Sequence, residues 1–106
     1  MEKGKIIIIF TTVNSKEKAD KIALELVSNK LAACISVIEA FSTYYWQGKI
    51  EREREYILEI KTASEKQNEI LNWLKENHPY TVPELIVLDA QAYGDYLKWL
   101  REYVLK

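Results

Sequence analysis

Residues Ile35 to Thr62 read ISVIEAFSTYYWQGKIEREREYILEIKT, and this stretch decides the fold. Two extended runs, Ile35–Tyr45 and Lys49–Thr62, face each other across Trp46-Gln47-Gly48. The joint carries the segment's one glycine, which can take the positive φ that a tight hairpin needs. In the second run the alternation is strict. Ile50, Tyr56, Leu58 and Ile60 share one face with Arg52 and Arg54. Glu51, Glu53, Glu55, Glu59 and Lys61 share the other, interrupted only by Ile57. Period two is the signature of a strand. Both runs exceed the usual strand length of about 5–6 residues, so the hairpin is expected to protrude beyond its own subunit.

Working outward, the N-terminal flank is a strand at Lys5–Thr12 whose core, Ile6-Ile7-Ile8-Ile9-Phe10, is apolar on both faces. Asn14, with Glu17 three residues on, fits an N-cap for a helix over Ser15–Asn29. Its inner stripe is Ala19, Ile22, Ala23, Leu26 and Lys30. On the C-terminal flank, Ser64 and Gln67 form a second capping-box pattern, opening a helix from Glu65 to about Asn77 that buries Ile70, Leu71 and Leu74. Pro79 ends it, because proline disfavours helical geometry in the residue before it. The loop His78-Pro79-Tyr80-Thr81-Val82-Pro83 leads to a last strand, Glu84–Ala90, again apolar on both faces. Asp95 is the expected cap of a terminal helix bearing Tyr96, Leu97, Trp99, Leu100, Tyr103 and Val104.

The order β-α-β-β-α-β plus a helix predicts an α+β, ferredoxin-like antiparallel sheet with a long central hairpin. Right-handed crossovers put both main helices on one face. The other face then needs a cover, which the terminal helix or a second copy of the chain must supply. A length of 106 residues suits one domain spanning residues 1–106.

Composition narrows the function classes. The formal net charge is −1, with acids and bases interleaved, so no basic stripe marks a nucleic-acid or anionic-membrane binder. The longest apolar run is too short to span a bilayer, and no signal-peptide pattern precedes it. The single cysteine, Cys34, excludes an internal disulfide, and cytoplasmic is the expected compartment. No catalytic arrangement or glycine-rich phosphate loop is visible, and the expectation is a non-enzyme. The glutamates alternating with Arg52 and Arg54 read as a solvated or ion-paired face rather than acid–base machinery.

Five blocks carry a family resemblance: Leu31-Ala32-Ala33-Cys34; Tyr44-Tyr45-Trp46-Gln47-Gly48-Lys49-Ile50; Ile60-Lys61-Thr62; His78-Pro79-Tyr80-Thr81-Val82-Pro83-Glu84; and Asp95-Tyr96-Leu97-Lys98-Trp99. Together, in this order, they resemble the CutA family of divalent-cation tolerance proteins. The resemblance implies a tight homotrimer similar in architecture to the PII signalling proteins, linked to copper tolerance. It also implies copper ligands at a cysteine near the end of the first strand and at histidines just before Pro-Tyr. Here those positions hold Phe10, Asn77 and His78, which leaves His78 as the one candidate metal residue and copper, or another divalent cation, as a weakly bound partner. By analogy with PII-like clefts, Tyr45, Trp46, Lys61, Tyr80 and Glu84 are candidates for an inter-subunit ligand cleft. The alternative class is an interaction or signalling trimer that presents surfaces to a partner protein.

Overall fold

In the computed structural model, which describes residues 1–106, the alternating stretch forms strands β2 (Cys34–Trp46) and β3 (Lys49–Ala63). They pair in one unbroken antiparallel register from Cys34↔Lys61 to Trp46↔Lys49. The turn is only two residues long, and both Gln47 and Gly48 have positive φ (47° and 86°). Turns of that hand match the right-handed twist of the flanking strands.

The remaining elements are β1 (Lys3–Val13), α1 (Lys16–Ser28), a 3-10 turn (Ser64–Lys66), α2 (Gln67–Asn77), β4 (Ile86–Tyr93) and α3 (Gly94–Val104). The sheet order is β2-β3-β1-β4, ferredoxin-like, with β1 antiparallel to both neighbours. Both main helices lie on one face, where Ile7, Ile9, Val13, Leu58 and Ile60 pack under Ala19, Ile22 and Leu26 of α1 and Ile70 and Leu74 of α2. No helix is long and apolar enough to cross a membrane.

Several boundaries differ from the sequence reading. β1 begins at Lys3 and β4 runs on to Tyr93 because the two strands pair through Lys3↔Tyr93. Glu84 and Leu85 stay in the loop, since the β1–β4 register ends at Phe10↔Ile86. Ser15, not Asn14, caps α1, its hydroxyl accepting the Lys18 N–H at 3.2 Å. Ser64 makes no cap bond; the chain passes through a 3-10 turn before α2 starts. Asp95 lies in the first turn of α3 rather than at its cap, where its charge still favours the helix dipole.

On the second face, α3 covers one end. Leu97, Leu100 and Val104 seal Ile6, Ala33, Ala63 and Ala92 into a separate core. Gly4 makes this approach possible, because a Cβ there would stand 3.0 Å from Leu97 Cδ2. The other end is bare: Ile86 and Leu88 are each 48% exposed, and Ile38 is exposed beside them on the same face. The expectation of strands buried on both sides therefore fails for β4.

β1 last touches β3 at Val13↔Tyr56, and Tyr56 faces Glu39. Beyond that row the hairpin is a two-stranded arm, about 24 Å long at the usual rise per residue. It gives the molecule a long dimension of 48 Å against 24 and 21 Å. On the arm Phe41 is 77% exposed, and Ile50 is exposed as well.

Candidate functional site

Where the arm leaves the sheet, the loop after α2 packs against it, and the contacts that hold it there start at His78. Its side chain is buried below the end of β1. Nε2 lies 3.0 Å from the Thr12 carbonyl oxygen, and Nδ1 lies 3.0 Å from the Tyr80 backbone nitrogen. A carbonyl only accepts and a backbone N–H only donates, so these partners fix the neutral tautomer with the proton on Nε2. Burial pushes the ring's pKa down, more than the Thr12 carbonyl and Glu55 pull it up. The imidazole thus ties the loop to β1.

Tyr80 continues the chain of contacts. Its ring meets the His78 ring edge-on, with centroids 5.1 Å apart. Its hydroxyl donates to Glu55 Oε2 at 2.9 Å. Burial and the Glu55 carboxylate both push the phenol's pKa upward, so it remains a donor at any physiological pH. Glu55 itself is only 6% exposed and is the one buried carboxylate in the chain. No Lys or Arg lies within ion-pairing distance of it. The reading of this glutamate as part of a solvated or ion-paired face is corrected here: loop 78–83 comes down over most of the residue without bringing a cation.

Between the arm and the loop lies a cavity of about 750 Å³. Tyr44, Tyr45, Trp46 and Glu53 line it from the arm, Tyr80 and Glu84 from the loop, and Glu55 from its base. Tyr44 donates to Glu53 Oε2 at 2.9 Å, a bond that raises its pKa to about 12. Burial, reinforced by the charge of Glu55, pushes the Glu84 carboxyl up. The cavity is therefore acidic at one end and aromatic along its walls.

Of the five residues expected to form a cleft, four line this cavity: Tyr45, Trp46, Tyr80 and Glu84. Lys61 is further along β3, on the same face as Glu55 but six residues away, paired with Cys34 and Ile8 and with its Nζ 3.2 Å from Glu59 Oε1. Glu55, Tyr44 and Glu53 were missed as site residues. The available signal for Glu55 was its cross-strand partner, Ala40, too small to cover the carboxylate. For a metal, the residues do not form a ready site. Both His78 nitrogens already have partners, so an ion must displace one of them, and nowhere do three His, Cys, Asp or Glu side chains converge as ligands.

The cavity sits between the Trp-Gln-Gly-Lys turn and the His-Pro-Tyr loop, two of the five blocks singled out in the sequence. A family model described as CutA1 divalent ion tolerance protein matches residues 7–103. The chain belongs to the CutA1 family. It is 38% identical over 101 residues to the divalent-cation tolerance protein CutA of Yersinia pestis (strain Pestoides F), covering 93% of this chain and 85% of that protein. Its fold matches CutA from Synechococcus elongatus with a TM-score of 0.93 at 34% identity, over 97% of this chain and 96% of the other. CutA1 from Pyrococcus horikoshii matches with a TM-score of 0.91 at 38% identity, over 94% and 99% of the two chains. The long hairpin and the terminal helix are thus features of the CutA1 fold at large, because the matches run through both.

Proposed function

We propose that this CutA1-family chain is a cytoplasmic, non-enzymatic homotrimer, one domain over residues 1–106, that acts in divalent-cation tolerance by holding a ligand between hairpin arm and loop. The observation that carries the assembly is the half-finished second sheet face. Ile38, Ile86 and Leu88 stay open there, and Tyr96 and Trp99 of α3 are exposed nearby with ring centroids 5.5 Å apart. Contiguous apolar patches on soluble monomers rarely exceed about 300–600 Å², so a second copy is the economical cover. The arm favours a ring, since a strand pair projecting past its own sheet can lie along the next subunit and close a cycle head to tail. Three is the count that the family resemblance implies.

Copper, or another divalent cation, is a weak partner in this reading. An ion at His78 must first displace the Tyr80 N–H from Nδ1 or the proton from Nε2, and the chain brings no thiolate to the position of Phe10. Light scattering should return three times the mass of one chain at micromolar protein. Calorimetry on chelator-stripped protein should show Cu(II) binding no tighter than about micromolar. A monomer in dilute solution defeats the assembly reading. Stoichiometric submicromolar copper binding that survives His78→Ala defeats the metal reading.

A further inference from the structure

The cavity's chemistry singles out one class of ligand, an assignment that rests on the ligand-holding part of the proposed function and not on the trimer. Buried charges in proteins are normally paired. Glu55 is largely buried and its Oε2 accepts one phenol, while its Oε1 receives no hydrogen bond from the chain, meets no cation and stays open to solvent. The side chain lines the cavity, so the free oxygen is reached from there. Glu53 and Glu84 add acceptors, and no basic side chain lines the space.

We infer that this cavity binds a small organic cation bearing N–H donors, a primary ammonium or a guanidinium, with its charge on Glu55 and its carbon body against the aromatic walls. Three features select that class. The free Oε1 needs a hydrogen-bond donor, which a quaternary ammonium lacks. Tyr44, Trp46 and Tyr80 put aromatic surface on the cavity, and aromatic faces attract cations as well as apolar groups. A volume of about 750 Å³ is that of a site for a multi-atom organic ligand and far exceeds a bare ion. A divalent metal is the weaker fit, because no three ligating side chains converge. An anion would meet three carboxylates.

Benzylammonium is the probe, with its neutral isostere benzyl alcohol and with tetramethylammonium as controls. Calorimetry on the wild-type protein should show benzylammonium binding about tenfold or more tighter than either control, a difference of roughly 1.4 kcal/mol. Glu55→Gln, which keeps the shape and leaves an oxygen for the Tyr80 hydroxyl, should abolish that preference. Should this variant not fold, amide NMR of the wild type decides: benzylammonium must shift the Tyr80 and Thr81 signals saturably, and n-butylammonium must compete. Equal binding of benzyl alcohol, an undiminished preference in Glu55→Gln, or no shift at tens of millimolar would each overturn the inference. The last result is also the one expected if a basic side chain of a second copy already occupies the site. Light scattering on the same samples separates the two readings. A trimer that ignores benzylammonium removes the cation site alone, and a monomer that binds it removes the assembly alone.

Discussion

Tyr80→Phe isolates a single bond. The substitution deletes one hydroxyl and leaves the ring edge-on to His78, so packing is retained. What disappears is the 2.9 Å donation to Glu55 Oε2, the only hydrogen bond that this buried carboxylate accepts. Hydrogen bonds to charged groups contribute about 1.5–3 kcal/mol. Tyr80 is only half-buried, and water can partly replace its hydroxyl, which favours a loss of about 2 kcal/mol. In a Glu55→Gln background the same deletion removes a neutral bond, worth about 1 kcal/mol. The double-mutant cycle should therefore return a coupling of about 1 kcal/mol. Urea unfolding at pH 7, followed by circular dichroism at one fixed protomer concentration, measures all four proteins. The midpoint should fall with the slope unchanged. A Tyr80→Phe loss under about 0.5 kcal/mol, or equal losses in both backgrounds, would show that Glu55 does not depend on this phenol and that the clamp is misread.

Other outcomes rest on the same contacts. His78 has a lowered pKa in the fold, so its contribution is complete above about pH 6.5 and is lost as pH falls through the folded value; urea midpoints between pH 7.5 and 5 should decline, and His78→Gln should flatten the decline. Glu84 acts with the opposite sign at lower pH, its raised carboxyl taking a proton before the unfolded chain does. Thr11 Oγ1 is buried without a partner, so Thr11→Val, equal in shape, should stabilise by about 1 kcal/mol in the same assay; a loss would mean the hydroxyl is bonded in solution. Ile57→Asp places a charge on the second sheet face, and if the trimer forms there, light scattering should report dissociation or aggregation, at several kcal/mol per subunit; an intact trimer would locate the interface elsewhere. In hydrogen exchange the Tyr80 amide, held by His78 Nδ1, should be protected while exposed Thr81 exchanges quickly; equal rates would deny the bond.

How much of the molecule is legible in its sequence depends on the range of the cause. The hairpin is legible because its alternation is local and the glycine at its tip has one use. The layer of α1 and α2 comes from stripes such as Ile22 and Leu26, where spacing alone selects the inner face. Strand ends are not legible. Lys3 and Tyr93 are strand residues only because each pairs with the other, and neither segment signals it alone. The choice between Asn14 and Ser15 as cap is lost for a related reason, since both are good caps and the exit of β1 decides between them. At the site, the aromatic blocks of the sequence supply Tyr45, Trp46 and Tyr80, which line one cavity. Glu55 stays hidden because periodicity assigns a side chain to a face and says nothing of a loop, 25 residues on, that covers it. Lys61 lies outside the cavity for a different reason: it shares the face of Glu53 and Glu55 but stands six residues beyond Glu55 along β3, beside Cys34 and Ile8.

The sheet order also sets a timetable for synthesis. β1 is made first, yet its two neighbours are β3 and β4, and the second of these ends at Tyr93. At about 5–20 residues per second, roughly 4–16 s separate the emergence of the first strand from that of its last partner. Through that interval Ile6-Ile7-Ile8-Ile9-Phe10, a run without a charge or a proline, has an unpaired edge. Such segments are templates for joining other chains. Docking of β3 covers one edge of this strand, and the other stays open until the C-terminal strand arrives.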